Sequence, residues 1–222
     1  MSTYRHGRHE YGQNFLTDQS IIAAITRLAV ATEGPIIEIG PGDGALTTPL
    51  ARLGRPVTAI EIDARLAQRL SERLPSHVDV VSDDFLIYRL PTYPYVLVGN
   101  LPFHQTTAML RRMLHAPAWT NAILLVQWEV ARRRAGVGGA TMMTAQWAPW
   151  FEFALHARVP SRAFTPRPGV DGGILSIYRR KHPLLPSEQR RQFRALVHRV
   201  YTGPGCGLAQ ILARNTALGS AR

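Results

Sequence analysis

Short runs of apolar residues alternate with helical patterns over about residues 35 to 128. The apolar runs predict five strands, at 35–39, 57–62, 78–81, 95–99 and 122–127. Helical patterns occupy three of the segments between them, 46–53, 64–74 and 106–115. Segment 20–30, which precedes the first strand, places four apolar residues on one helical face, Ile21, Ile22, Ile25 and Leu28. Strands that alternate with helices are typical of βαβ units, so we predict an α/β fold with a largely parallel sheet.

The chain after residue 138 has a different pattern. Another helical stretch follows the Gly138-Gly139 pair, and two extended segments follow it, at 151–159 and 173–179. A helix between these two segments is excluded by three prolines, Pro160, Pro166 and Pro168. The two extended segments are suited to pairing as an antiparallel hairpin at the end of the sheet.

The final segment predicts a small helical domain. Pro186 and Ser187 open a helix, with Ser187 as its N-cap. An apolar stripe follows it, formed by Phe193, Leu196, Val197, Val200 and Tyr201. The other face carries four arginines, Arg190, Arg191, Arg194 and Arg199. We therefore divide the chain into a Rossmann-like domain, residues 1–178, and a small helical domain, residues 179–222, that docks on it.

The composition is that of a globular protein. A hydrophobic share of 45% in 222 residues can form a core, and Cys206, the only cysteine, cannot form an intrachain disulfide. No stretch approaches the roughly 18 to 20 apolar residues that span a bilayer. Residues 1–10 are polar and basic and lack the apolar core of a signal peptide. We expect a soluble, cytoplasmic protein without a metal site.

The charge of the chain is strongly positive. Its net charge is +11, from 26 Lys and Arg against 15 Asp and Glu. A basic surface attracts polyanions over long distances, which favours a nucleic acid as the partner. The alternative is that the charge only keeps the protein in solution.

A glycine-rich turn follows the first predicted strand. Gly40, Gly42 and Gly44 form a Gly-x-Gly-x-Gly pattern between a strand and a helix. Glycine permits a sharp turn and lets a ligand approach the backbone closely. A tight surface turn has the same pattern, so the turn identifies a ligand site only together with its surroundings.

Acidic residues follow the next two predicted strands. Glu61, with Ile62 after it, is suited to contact a ribose, and Asp84, with Phe85 beside it, is suited to contact an adenine. The carboxyl ends of parallel strands form one crevice, which suits either NAD or S-adenosylmethionine. Glu38, immediately before the glycines, favours S-adenosylmethionine, because a pyrophosphate-binding loop has no need of a carboxylate there.

Asn100, Leu101, Pro102 and Phe103 follow the fourth predicted strand. The exocyclic amine of adenine is a poor nucleophile, because its lone pair is delocalised into the ring. Acceptors aimed at its two hydrogens, the Asn100 side-chain oxygen and the Leu101 carbonyl, localise that lone pair for attack on a sulfonium methyl group. Pro102 restricts Leu101 to extended conformations, and Phe103 offers a ring for an extruded base. The alternative is an Asn-Pro turn that caps a helix, with Phe103 in the core.

Together these residues resemble the ribosomal RNA adenine-N6 methyltransferases, and most closely the Erm family, over nearly the whole chain. Residues 13–16 match the first cofactor motif of that family, which implies that Gln13, Asn14 and Leu16 contact the methionine end of the cofactor. Residues alone would predict a helix-entry loop there. The family's other cofactor positions match Gly40, Glu61, Asp84, Phe85 and Asn100.

A second matching segment is 164–168, which is similar to the family's Phe-x-Pro-x-Pro sequence. The similarity implies that Phe164 covers the face of the target adenine opposite Phe103, whereas the residue alone would predict ordinary core. Erm proteins usually extend further than this chain, so the resemblance implies an abbreviated helical domain. A shorter helical domain would change the affinity for RNA and not the methyl-transfer reaction.

The resemblance implies a Rossmann-like S-adenosylmethionine-dependent methyltransferase fold. It further implies methylation of an adenine N6 in naked or precursor 23S rRNA by a monomer, and resistance to macrolide, lincosamide and streptogramin B antibiotics. One alternative is a small-subunit rRNA dimethyladenosine transferase, although that group usually has Tyr-Asn in place of Phe103-His104. Another is a non-catalytic RNA-binding factor on the same fold. A DNA adenine methyltransferase would usually have proline in place of Leu101.

Arginines flank the predicted site and are candidates for RNA phosphates. They are Arg5, Arg8, Arg111, Arg112, Arg132, Arg133, Arg134 and Arg162. The run 132–134 is the strongest candidate, because three successive charges repel one another unless an anion is near. A merely solvated arginine is the alternative for each of them.

Overall fold

A seven-stranded sheet with helices on both faces forms the body of the protein in the computed structural model, which describes residues 13–203. The strands are β1 (Phe15–Leu16), β2 (Ile36–Ile39), β3 (Val57–Glu61), β4 (Val78–Ser82), β5 (Tyr95–Asn100), β6 (Trp119–Gln127), β7 (Phe151–Val159), β8 (Phe164–Thr165) and β9 (Gly172–Arg179). The helices are α1 (Gln19–Val30), α2 (Thr47–Ala51), α3 (Ala64–Ser71), α4 (Thr106–His115), α5 (Trp128–Arg134), α6 (Met142–Trp147) and α7 (Arg190–Thr202).

The order of the strands creates a place for a ligand. The sheet runs β4-β3-β2-β5-β6-β9-β7, and β2 to β6 are all parallel. The chain moves outward from β2 to β4 and then returns to β5 on the other side of β2. Ligands of open α/β sheets bind at such a switch point, beyond the carboxyl ends of the strands.

The predicted antiparallel pairing of the two extended segments is confirmed. β7 and β9 pair antiparallel, and β9 also pairs antiparallel with β6. β9 therefore lies between β6 and β7. The proline-rich connection contains a three-residue 3-10 turn, Ser161–Ala163, where the sequence predicted no helix, and the short strand β8.

Alternation along the strands builds a core on each face of the sheet. Ile37 and Leu97 belong to one buried cluster, which also contains α4 side chains such as Met113. Ile36 and Val96 belong to the other, together with Ile25 of α1. Successive residues of a strand point to opposite faces, so nearly continuous apolar strands are needed to fill both cores.

Local capping explains where two of the helices begin. The Asp18 carboxylate accepts hydrogen bonds from the Ser20 and Ile21 amides, and Asp63 does the same for Arg65 and Leu66. Both side chains satisfy amides that have no partner within the helix.

The predicted N-cap role of Ser187 is wrong. Ser187 begins a 3-10 turn that ends at Gln189, and its hydroxyl donates to the Glu188 carboxylate. The helix α7 begins only at Arg190. The proline at position 186 favours the start of a helical turn, but it does not decide whether that turn is α or 3-10.

Candidate active site

The glycine turn after β2 has the backbone conformation that its sequence predicts. Gly40, Gly42 and Gly44 have φ angles of 64°, 55° and 86°, in the left-handed region that favours glycine. A Cβ atom on Gly42 would lie 3.0 Å from the Phe15 ring. The Glu61 carboxylate holds this turn, because it accepts a hydrogen bond of 2.9 Å from the Gly42 amide.

A cavity lies at the switch point, beyond the ends of β2, β3 and β5. Ligand sites of open α/β sheets are found at this place. Every position that the sequence suggested for cofactor contact lines it, namely Gln13, Asn14, Leu16, Glu38, Gly40, Gly42, Glu61, Ile62, Asp84, Phe85 and Asn100. The structure thus brings together residues spread over some ninety positions of the chain.

The charge of the cavity is opposite to that of the whole chain. Five acidic residues line it, Glu38, Asp43, Glu61, Asp83 and Asp84, and no basic residue among residues 13–203 does so. Sequence reasoning missed two of them: Asp43, which lies between two glycines of a turn, where an aspartate usually faces solvent, and Asp83, which precedes the predicted Asp84. No group of three side chains that could hold a metal occurs in the described part of the chain. The cavity therefore suits a cationic organic ligand better than an anionic one.

Glu38 is the most unusual of these acids. The residue is 1% exposed, and its Oε2 atom has no hydrogen-bond partner among the described residues. Burial raises the pKa of Glu38 to about 8, the nearby Thr47 opposes that shift, and the Glu61 charge adds to it. Burial also raises the pKa of Glu61, against the effect of the backbone amides of Asp63 and Gly42. The cavity wall therefore holds two buried carboxyls with no cation beside them.

Asn100 ends β5 at the edge of the cavity. Its Nδ2 atom donates a hydrogen bond of 2.8 Å to the backbone carbonyl of Asn14. Because a carbonyl can only accept, this contact determines which end of the amide is Nδ2. The Oδ1 atom accepts no hydrogen bond from residues 13–203, so it stays available to a ligand.

Three hydrogen bonds hold the loop after Asn100. The Leu101 amide donates to the carbonyl of Leu125 on β6 at 2.9 Å, and the Pro102 carbonyl accepts from the Gln105 amide at 3.0 Å and the Thr106 hydroxyl at 3.1 Å. The Leu101 carbonyl accepts no backbone hydrogen bond within the described part of the chain. Two acceptors on adjacent residues, the Asn100 side chain and the Leu101 backbone, are thus left for a ligand.

Comparison with known proteins identifies the family. The model of the family "Ribosomal RNA adenine dimethylase" matches residues 4–219. The chain belongs to the ribosomal RNA adenine dimethylase family. The fold and the family are those of S-adenosylmethionine-dependent methyltransferases.

The similarity of this dimethylase-family chain to individual proteins supports its place in the family. It is 62% identical to an rRNA adenine N-6-methyltransferase of Corynebacterium diphtheriae, over 96% of this chain and 85% of the relative. It is 50% identical to the mycinamicin-resistance protein MyrB of Micromonospora griseorubida, over 93% of this chain and 67% of the relative. The crystal structure of the 23S rRNA methyltransferase ErmE matches it with a TM-score of 0.85 and 36% identity, over 92% of this chain and 85% of the other.

Phe103 and Phe164 of this dimethylase-family protein lie in contact but do not form two parallel walls. Phe103 lines the cavity, whereas Phe164 is 2% exposed and lies outside the lining. Their ring centroids are 6.0 Å apart at an interplanar angle of 75°. In this arrangement the two rings do not face each other across a gap, and the role that the resemblance implies for Phe164 at the target adenine stays a prediction. Phe164 instead supports the Phe103 ring edge-on from the core.

A short antiparallel ladder, which the sequence did not predict, places the N-terminal motif of the dimethylase fold. β1 pairs with β8, with Phe15 opposite Thr165 and Leu16 opposite Phe164. The Thr17 amide also donates to the carbonyl of Ala163 at 2.9 Å. Two strands of two residues each have no periodicity by which a sequence could reveal them.

The arginines that flank the dimethylase site differ in what they contact. Arg5 and Arg8 lie outside the described residues. Arg112 donates to the Tyr88 carbonyl and lies over the Phe85 ring. The remaining candidates Arg111, Arg133 and Arg162 are exposed.

The run 132–134 does not form one charged patch, because a helix turns successive side chains in different directions. Arg132 forms an ion pair of 2.8 Å with Glu129, and Arg134 donates to the Thr141 hydroxyl from a half-buried position. Arg133 lies 4.0 Å from Glu129 and its side chain is 65% exposed. Only Arg133 of the three has a side chain open to a phosphate.

Proposed function

We propose that the protein transfers a methyl group from S-adenosylmethionine to N6 of one adenine in 23S rRNA, and so protects the ribosome from macrolide, lincosamide and streptogramin B antibiotics. The observation that carries the proposal is the hydrogen bonding of Asn100, a residue of the cavity lining whose amide nitrogen is held by Asn14 while its oxygen accepts no hydrogen bond from residues 13–203. The rRNA methyltransferase with 62% identity and the mycinamicin-resistance protein with 50% identity support the choice of substrate and role.

The residues of the cavity fit S-adenosylmethionine. A Cβ atom at Gly42 would press on the Phe15 ring, so the glycine allows these two residues of the cavity wall to pack closely. The ammonium and sulfonium groups of the cofactor are attracted by an acidic lining, whereas the pyrophosphate of a dinucleotide would be repelled. Buried Glu38, with its unpartnered Oε2 atom, is suited to the amino acid end. In this proposal Gln13, Asn14 and Leu16 hold the same end, Glu61 and Ile62 the ribose, and Asp84 and Phe85 the adenine.

The residues of the Asn100 loop position the target base. Asn100 Oδ1 and the Leu101 carbonyl accept hydrogen bonds from the two hydrogens of the adenine amine, and Phe103 stacks on the extruded ring. These contacts localise the nitrogen lone pair and aim it. S-adenosylmethionine, when bound, supplies an electrophilic methyl group on a cationic sulfur. The methylated amine then loses its proton to water, and no strong general base is needed.

The protein reaches its RNA, in this proposal, as a monomer that acts on naked or precursor 23S rRNA in the cytoplasm. The segment after residue 179, which begins the helical domain, contributes to RNA affinity. No helix of the described residues is long and apolar enough to cross a membrane.

The experiment that tests the proposal is methyl transfer to defined RNAs. Unmodified 23S and 16S rRNA are incubated with the protein and tritiated S-adenosylmethionine, and the labelled nucleosides are separated. We expect label in N6-methylated adenosine of 23S rRNA. Label in 16S rRNA alone would replace the proposal with a small-subunit dimethyladenosine transferase. RNA binding without any label would indicate a non-catalytic binding factor.

A further inference from the structure

Two arginines of α7 lie on the faces of two buried tryptophans. The Arg190 guanidinium is 5.5 Å from the Trp147 ring centre and 5.1 Å from that of Trp150, and the Arg194 guanidinium is 4.8 Å from that of Trp147. Both tryptophans are 2% exposed. Because the two guanidinium groups lie on flat aromatic faces, the conformations of these side chains are already restricted. Binding of a ligand would therefore cost little further conformational entropy.

The hydrogen-bonding capacity of these two arginines is largely unused. The Nε atoms of Arg190 and Arg194 have no partner within residues 13–203. The one side-chain contact of Arg194 is with His115, whose Nε2 atom lies 2.8 Å from the guanidinium. The other ring nitrogen of His115 lies 2.8 Å from the Arg111 carbonyl and donates to it, and Nε2 accepts from Arg194. The buried Nε atoms lie out of reach of a ligand, but the Nη atoms that donate to no described residue, both of those of Arg190 and one of those of Arg194, remain for an acceptor such as a phosphate.

The two arginines also repel each other. They are four residues apart on α7 and lie on the same side of the helix, where like charges are unfavourable. Burial lowers the pKa of the Arg194 guanidinium, and the Arg190 charge lowers it further. The pKa of Arg179, which lies beside the stacked rings of Trp119 and Phe151, is lowered in the same way by burial and then by the Arg190 charge. An anion bound here would relieve that repulsion.

A surface groove with an empty volume of about 800 Å³ opens at these arginines. We call it the arginine groove; it is lined by Gln146, Ser187, Glu188, Arg190, Arg191, Arg194 and Ala195. Glu188 is its single carboxylate in the described part of the chain, and it accepts from Ser187 instead of pairing with an arginine. Three arginines against one acid make the groove positive, in contrast to the acidic cavity.

We infer that the arginine groove binds the phosphodiester backbone of the substrate RNA at a second site, remote from the base that is methylated. The inference rests on the proposed function, because it takes the substrate to be RNA. Trp147 contacts Phe151, which stacks on Trp119 at the start of β6, whereas the Asn100 loop bonds to Leu125 near its end. Six residues of strand separate these two ends, or about 20 Å.

This distance implies that only a long RNA contacts both sites. A short hairpin that carries the target adenine reaches the cavity alone, whereas a larger fragment with its adjoining stems also covers the arginine groove. The groove therefore makes affinity depend on the length of the RNA. The two lengths of RNA provide the internal comparison for the test.

The test measures binding of both RNAs over a series of salt concentrations. In the double variant Arg190→Gln and Arg194→Gln we expect the affinity for the long RNA to fall by about tenfold or more, and its logarithmic salt slope to decrease by about 1.4 to 1.8, as for two lost phosphate contacts. The short hairpin should bind as tightly as it does to the unaltered protein. A control for the loss of charge is Arg65→Gln with Arg69→Gln, a pair with the same spacing at exposed positions of α3.

A second variant separates RNA contact from the docking of α7. Arg191→Glu changes an exposed side chain that lines the groove and stacks on neither tryptophan. Its thermal stability should stay unchanged while its affinity for the long RNA falls. Salt slopes equal to that of the α3 control in both groove variants would overturn the inference. Absence of methyl transfer by the unaltered protein would count against the proposed function instead, since the binding comparison does not depend on catalysis.

Discussion

The amide nitrogen of Asn100 donates to the backbone carbonyl of Asn14 across 86 positions of the chain. The bond joins the end of β5 to the N-terminal motif and leaves the Asn100 oxygen as the free acceptor. It also explains why the residue is an asparagine, because an aspartate has no hydrogen to donate to Asn14 and an alanine has neither function.

Replacement of Asn100 by alanine should abolish detectable methyl transfer while RNA binding persists. The change removes an acceptor that acts on the reacting nitrogen, and loss of one such contact typically lowers the rate by about 10² to 10³. Single-turnover methylation and a separate RNA-binding assay measure the two effects. Asn121→Ala, at a partly buried position of β6 away from the cavity, serves as the control. An Asn100→Ala enzyme with normal turnover would remove Asn100 from the mechanism.

Replacement of Gly42 by alanine should weaken cofactor binding by tenfold or more. The new Cβ atom would press on the Phe15 ring at 3.0 Å, inside the proposed cofactor site. The positive φ angle of 55° adds about 1 to 2 kcal/mol of backbone strain. Calorimetry with S-adenosylmethionine and thermal unfolding measure binding and stability.

The strain of that substitution has a matched control at Gly54. Its φ angle is 66°, and nothing lies within 4 Å of an added Cβ atom. Gly54→Ala should lose similar stability and keep its affinity for the cofactor. Equal affinities in the two variants would show that the glycine turn does not cradle a ligand.

The cofactor-free protein should become less stable between about pH 5 and 8 because of Glu38. Its pKa is about 8 in the folded protein and 4.5 ordinarily, so the folded state holds a proton that the unfolded state has already lost. This contribution is complete below pH 4.5 and disappears as the pH rises through 8, a change on the order of a few kcal/mol. Urea unfolding at pH 5.5 and 8 measures it.

Two variants isolate the effect of Glu38 from that of other acids. Glu38→Gln should have a flatter dependence of stability on pH, since glutamine does not titrate. Glu33→Gln, at an exposed position, should behave as the unaltered protein does. Parallel pH profiles for all three proteins would show that Glu38 is ionised in the fold.

Charge reversal in the run 132–134 should have a different effect at each position. Arg133→Glu should lower RNA affinity about tenfold at low salt and leave S-adenosylmethionine binding unchanged, because its side chain is exposed. Arg134→Glu should instead lower the melting temperature, since Arg134 is half-buried and donates a hydrogen bond to Thr141. Arg52→Glu, at the exposed residue that follows α2, is the control. Unaltered affinity in Arg133→Glu would remove this arginine from the RNA interface.

Most of the sheet was predictable, because its strands are short apolar runs. The strand 151–159 and the helix 106–115 have the predicted bounds in the structure. The start of β6 was missed by three residues, because Thr120 and Asn121 are polar. They belong to the strand through pairing with β5 and β9, which a local pattern does not contain.

The sequence could predict that Glu61, Asp84 and Asn100 line one cavity, because each of them stands at the end of a strand or shortly after it. The site was not predictable where a contact joins distant segments, as between Asn14 and Asn100. The opposite environments of Arg133 and Arg134 were hidden for a similar reason. The two arginines are adjacent and carry the same charge. Only the hydrogen bond between Arg134 and Thr141, a contact outside α5, makes their surroundings differ.

The two-residue ladder between β1 and β8 links two parts of the molecule that could otherwise vary separately. One side of it carries the residues proposed for the methionine end of the cofactor, and the other carries Phe164, which supports the Phe103 ring. A substitution that loosened the ladder would impair donor and acceptor recognition at once. Variants with an altered substrate preference should therefore carry their substitutions outside the ladder. Its four residues, Phe15, Leu16, Phe164 and Thr165, should tolerate little change.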